Sequence, residues 1–223
     1  MTDTPSDRAR ELLQGAYDTH MHISPDVVER IVDDISLARM FKELGMAGFV
    51  LKSHYGSTAE RASVVRAAVP GADVLGAISL NRAVGGINPL AVEIAAREGA
   101  RTVWLPTVDS VNESHEREAA AGAKVPVWVK LQLELREQGI EIPPVAVVDE
   151  RGAVLPETIA VLERVAHHDL LLRVTVHHGS RLGEGLVVKT DKAPTPGNLI
   201  FSVWAERPDQ RRPVAICVLL SGL

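Results

Sequence analysis

A chain of 223 residues, 46% hydrophobic and 24% charged, has the size and balance of one globular domain that can bury a substantial core. No apolar run is long enough to cross a bilayer, and the N-terminal stretch MTDTPSDRARELLQG has no apolar segment of the secretory type. A net charge of −5, 4% aromatics and one cysteine, Cys217, argue against a phosphate-backbone binder, a base-stacking platform, an internal disulfide and a cysteine-built zinc site; a cytoplasmic protein with eight histidines is the expectation.

The first ~110 residues alternate apolar strands with amphipathic helices. A strand is predicted over Ala16–His22 and a helix over Asp34–Leu44, stopped by Gly45. The second strand is GFVLKS, Gly48–Ser53. Ser57 and Glu60 have the S-x-x-E spacing of a capping box at the start of the next helix. The third strand, Asp73–Leu80, leads through a glycine-rich loop to Asn88-Pro89, a good N-cap placed directly before proline at the first helical position. That helix ends at Gly99, and the fourth strand covers Arg101–Leu105. Strand starts near 16, 48, 73 and 101 have the spacing of βαβ units, and the mostly uninterrupted apolar runs fit strands covered on both faces.

After Leu105 the rhythm changes. Pro106–Lys124 reads as a loop with a short helix on Asn112–Ala121, Val125–Gln138 as a helix or extended segment, and Ile142–Leu155 as a β-hairpin with its tip at Asp149–Gly152. A helix from Pro156 to about His167 and a fifth strand over Leu170–Val176 follow. Residues 1–172 carry 17 Lys/Arg against 25 Asp/Glu, whereas residues 173–223 carry 7 against 4 and have prolines at 194, 196, 208 and 213. The expected fold is therefore α/β, a (β/α) TIM-barrel-like arrangement that is incomplete, with about five parallel strands and a small β-hairpin insertion. Residues 1–176 form the partial barrel. Residues 177–223 read as a divergent, irregular tail, truncated or out of frame.

Two strand ends carry the chemistry. In Asp18-Thr19-His20-Met21-His22, strict strand alternation sends Asp18, His20 and His22 to one face, where two imidazoles can ligate a divalent metal and a carboxylate can join them or orient a ring. The bland alternative is two histidines that merely lie near a strand end, but their unpaired burial would be costly. In Lys52-Ser53-His54-Tyr55, Lys52 and His54 share a face. Lys52 beside a metal could act as a base, a substrate clamp or, if carbamylated, a metal ligand, or else be a lysine snorkelling from a strand end. Asp109 falls on the rim after the fourth strand and is the candidate catalytic carboxylate, with Lys52 as its companion. Asn81, after the third strand, and Tyr55 are candidates for substrate contact. His115 and His167-His168 read as solvated or helix-ending residues, and His177-His178 as a conceivable further imidazole source. No Walker loop, G-x-S-x-G elbow or G-x-G-x-x-G is present.

On these residues the chain resembles the amidohydrolase superfamily of metal-dependent TIM-barrel hydrolases, whose opening metal motif is a His-x-His at the end of strand one, here His20 and His22. It is more closely similar to the bacterial DUF6282 family over YDTHMHISPDV, GFVLKSHYGSTAERASVV, AISLNRAVGGINPLAVE and TVWLPTVDS, about residues 12–172. The resemblance implies a divalent metal, zinc or alternatively manganese, at His20 and His22, to which the strand geometry adds Asp18 and His54 as candidate ligands. It also implies a metal-bound water as nucleophile and hydrolysis of a small amide, ester or related substrate, with a rim carboxylate moving the proton. The superfamily's later ligand-bearing strands are not recognisable here. The alternatives are a PHP-type phosphoesterase, which also opens with His-x-His, and a non-catalytic fragment of such a barrel. The expected partner is a small molecule, with neither nucleic acid nor membrane and with self-association into a homo-oligomer left open.

Overall fold

The computed structural model describes residues 6–111 and 127–173, together with the backbone of 186–192, 198–207 and 210–220. Five parallel strands pair in chain order: β1 Tyr17–Met21, β2 Gly48–Leu51, β3 Asp73–Ser79, β4 Ala100–Trp104 and β5 Leu171–Arg173. They form a curled half-barrel with helices packed against it, an α/β fold that matches an incomplete TIM-barrel-like arrangement. The helices are α1 Asp7–Leu13, α2 Asp34–Glu43, α3 Ala59–Ala68, α4 Pro89–Arg97, α5 Val127–Glu137 and α6 Pro156–His167.

Local chemistry explains the element boundaries. Asp33 caps α2 through Ser36 N–H, and Asn88 Oδ1 accepts from the amides of both Leu90 and Ala91 at the start of α4, with Pro89 just inside. The capping box anticipated at Ser57 and Glu60 is replaced by another arrangement. Ser57 Oγ accepts from Ala59 N, while Thr58, the N-cap residue, turns its hydroxyl inward to the carbonyls of Leu51 and Ala77. Thr58 also accepts from Ala77 N, so it ties the start of α3 to β2 and β3. This close approach requires Gly76: a Cβ there would lie 2.5 Å from Ala59 Cα.

The helix-facing side of the sheet is apolar. Phe49, Leu51 and Val74 pack with Leu37, Phe41 and Val65 under α2 and α3, and Ile78, Leu80, Val103 and Leu172 pack with Val92, Val161 and Val165 under α4 and α6. Residues of alternate parity occupy the opposite, concave face. Register pairs Val50 with Leu75, Ala77 with Thr102, Ser79 with Trp104, and Trp104 with Arg173, so these residues line one surface. Its apolar floor is Val50, Ala77 and Trp104, with Leu75 packed against them.

The hairpin expected at 142–155 is a turn closed by Asp149 N–H to Ala153 O, with one antiparallel bridge, Val148 to Val154. The chain beyond it differs from the irregular tail expected. Strands β6 Leu186–Lys192, β7 Asn198–Arg207 and β8 Gln210–Leu220 form a three-stranded antiparallel sheet. Pro213 sits in β8, which among the described residues pairs with β7 alone, at a register shift; an edge position with a bulge tolerates a residue that has no N–H. The boundary expected at 176/177, the helix over 112–121, His115 and His177-His178 lie outside the described residues. Among the described residues no helix is long and apolar enough to cross a membrane.

Candidate functional site

His20, His22, Lys52, His54, Asn81, Trp104, Asp109 and Arg173 lie at or just beyond the carboxyl ends of the parallel strands, the end at which barrel folds build their sites. His20 and His22 have ring centroids 5.3 Å apart, and His22 and His54 4.5 Å apart. Lys52 is almost fully buried; its Nζ lies 3.1 Å from His20 Nε2 and 4.0 Å from the centre of the Trp104 ring. His20 keeps an edge open to solvent while its ring rests 4.7 Å from the Trp104 ring. The Arg173 guanidinium flanks the same indole at 4.6 Å and donates to Thr19 O at 2.6 Å.

A β-bulge separates two residues that strict alternation would put together. Between Asp18 and Met21 strand β1 has one residue more than β2, since Asp18 pairs with Phe49 and Met21 with Leu51. Both partners face the helices, so Asp18 is placed on that side and His20 on the concave side. The Asp18 carboxylate accepts from His20 N at 2.9 Å, serving the backbone of the bulge. His22 lies beyond the strand, where Arg30, paired with Asp26 at 2.6 Å, approaches its Nδ1 at 3.5 Å.

The rim is fixed by Asn81, which is fully buried. Its Nδ2 donates to His54 O (3.0 Å) and Thr107 Oγ1 (2.8 Å), and its Oδ1 accepts from the amides of Thr107 (2.9 Å) and Asp109 (3.3 Å). Thr107 Oγ1 in turn lies 2.8 Å from His54 Nδ1. Both carboxylate oxygens of Asp109 are engaged, Oδ2 by Arg82 N and Oδ1 by Gln132 Nε2. Asp109 thus shares the rim with the histidines and reaches His54 through Asn81. Tyr55 follows His54, its ring edge-on to that imidazole at 6.1 Å.

The electrostatics follow from burial among positive groups. Burial first, then the Lys52 charge, holds the histidines below their ordinary value: His20 at about 3, His22 at about 4 and His54 at about 2. Lys52 is lowered to about 7 by burial and by the nearby Arg173. At neutral pH the three imidazoles are uncharged and keep a lone pair each. That donor chemistry suits a divalent transition metal at the neighbouring rings of His20 and His22. The fit ends at this pair: Asp18 and Asp109 are turned to other partners. Among the described residues no group of three or more His, Cys, Asp or Glu side chains is arranged to hold a metal ion.

Trp104, Arg173, Thr107 and Gln132 belong to the site but were not singled out in the sequence. Arg173 had a visible signal, a guanidinium inside the apolar run LLLRV, which a strand buried on both faces seldom holds without a purpose. Trp104 was indistinguishable from an ordinary core residue. No curated protein matches the chain. The model of a family of unknown function, DUF6282, matches residues 15–190, a span that contains all five parallel strands and every residue of the site, and the chain belongs to that family.

Proposed function

We propose that the protein is a metal-dependent hydrolase of the amidohydrolase type acting on a small amide, ester or related substrate. The observation that carries this reading is the juxtaposition of His20, His22 and His54 with Lys52 at the carboxyl ends of adjacent parallel strands. His20 and His22 would hold a divalent metal, zinc or manganese. When bound, such an ion supplies Lewis acidity and lowers the pKa of water.

The chain's own residues supply the surroundings. Lys52, poised near neutrality and buried, can hold or release a proton at Nζ within 3.1 Å of His20. Asn81 and Thr107 fix the position of His54, and Asp109 anchors the rim by binding Arg82 N and Gln132. Trp104 forms an apolar wall that keeps water from Lys52.

The test is a metal analysis of the purified protein beside a panel of amide and ester substrates with added zinc or manganese. Stoichiometric metal, lost in the His20→Ala/His22→Ala double variant together with turnover, supports the reading. Metal content unchanged in the double variant overturns the metal assignment. Metal that binds without any turnover supports a non-catalytic binding protein instead.

A further inference from the structure

On the concave face two buried donors have no acceptor among the described residues, and a third, Lys52, meets only the ring nitrogen of His20. Lys52 is 3% exposed, and the groups around it, the His20 ring, the Trp104 indole and the Arg173 guanidinium, bring no negative charge. Among the described residues no carboxylate lies within ion-pair distance of it. A cation over an indole recovers only part of what the ammonium loses on leaving water. Beside it, Trp104 Nε1 and Ser79 Oγ are both buried and have no hydrogen-bond partner among the described residues. Ser79 and Trp104 are register partners on adjacent strands, and Lys52 Nζ stands over the same indole. Native proteins leave few such atoms unsatisfied, and these fall together.

The donor types identify the missing partner. An indole N–H and an ammonium can only donate, and a serine hydroxyl can donate as well. A metal ion would be repelled by the ammonium and by the indole N–H, and a neutral amide offers only one acceptor atom. A carboxylate or phosphate oxygen cluster, with several lone pairs and negative charge, satisfies them at once.

We propose that this part of the concave face is an oxyanion-binding site in which Lys52 Nζ, Trp104 Nε1–H and Ser79 Oγ–H, beside the Arg173 guanidinium, receive a carboxylate or phosphate group. Its assignment to the substrate, making that substrate an anionic one, rests on the hydrolase reading above; the binding itself does not. The anion lies next to the His20–His22 pair, so a bond a few atoms from the charged group would be the one presented for cleavage.

The experiment uses metal-free protein and follows the indole N–H resonances by NMR during separate titrations with inorganic phosphate and with acetate. Trp104→Phe assigns the Trp104 signal and removes its donor while keeping the ring. A saturable shift of that signal, with affinity weakened roughly tenfold or more in Lys52→Met and less in Ser79→Ala, supports the site. Whichever anion binds more tightly identifies the substrate's charged group. The remaining indole signals, unchanged in the variants, show that each is folded. A Trp104 signal that neither anion moves, or equal affinity in wild type and Lys52→Met, overturns the proposal. Because no metal or turnover is involved, anion binding can succeed where the hydrolase test fails, and the reverse.

Discussion

Replacing Asn81 by alanine separates a structural role from direct substrate contact. The side chain is 0% exposed and makes four hydrogen bonds, to His54 O, Thr107 Oγ1, Thr107 N and Asp109 N, of which the last, at 3.3 Å, is the weakest. A net worth of about 1 kcal/mol per bond, with an added penalty because the stranded groups cannot reach water, sums to about 3–5 kcal/mol. The assay is urea unfolding followed by circular dichroism, read as a lower midpoint at unchanged slope. Thr107→Val, which removes only the hydroxyl shared by Asn81 and His54, should lose about 1–2 kcal/mol. An Asn81→Ala protein within about 1 kcal/mol of wild type would refute the argument that Asn81 pins the rim. If the same variant showed a raised KM, Asn81 would be a substrate contact.

Gly76→Ala should cost about 1–3 kcal/mol, because its Cβ meets the backbone of Ala59, whereas Gly56→Ala, with nothing within 4 Å, should be near neutral; equal unfolding midpoints would contradict this contrast. Glu93 is held at about 2, below its ordinary 4.5, first by its hydrogen bond to His168 and then by Arg97. Its contribution is complete above pH 4.5 and fades as the pH falls toward 2, so His168→Ala should flatten the acid limb of a stability–pH profile in that window. An unaltered limb would show that the pair does not govern acid unfolding. Arg61 holds the carbonyls of Ile23 and Pro25 and the Asp34 carboxylate, so Arg61→Met should lower stability by about 1–2 kcal/mol and loosen the segment after His22, measurable as faster amide exchange at Ile23, Ser24 and Asp26.

The parallel half-barrel was legible because its signals are local and repeated: strand starts at βαβ spacing, Asn88-Pro89 at a helix start, and apolar runs of strand length. His20, His22, Lys52 and His54 were legible as a group because a strand's carboxyl end is readable from the loop that follows. The position of Asp18 was not. Alternation assumes one residue per pleat, and the bulge in β1 adds a residue whose only sequence trace is its length relative to β2. The roles of Asp109 and Asn81 were also hidden, since a buried polar side chain that ties neighbouring loops together and one that meets a ligand have the same one-letter code. In the tail, prolines at 208 and 213 read as strand breakers, but one follows β7 directly and the other lies on an edge strand at a register shift.

The bond from Arg173 to Thr19 joins the two outermost strands of the five-stranded sheet, across a sequence separation of 154 residues. Thr19 lies within the bulge of β1, so one edge strand's irregularity meets the other edge strand's side chain. The curl of the sheet is therefore fastened at its carboxyl rim by a side-chain clasp instead of by a ladder of strands. The clasp spans all four crossovers, and closing it directly costs about 1 kcal/mol more loop-closure entropy than pairing neighbouring strands, since that cost grows with the logarithm of loop length. The carboxyl rim of the sheet, where that contact is made, is expected to close after the neighbouring strands have paired. By the same reasoning it is the first region to part when the sheet relaxes, which makes hydrogen exchange at the carboxyl ends of β1 and β5 the earliest sign of local opening.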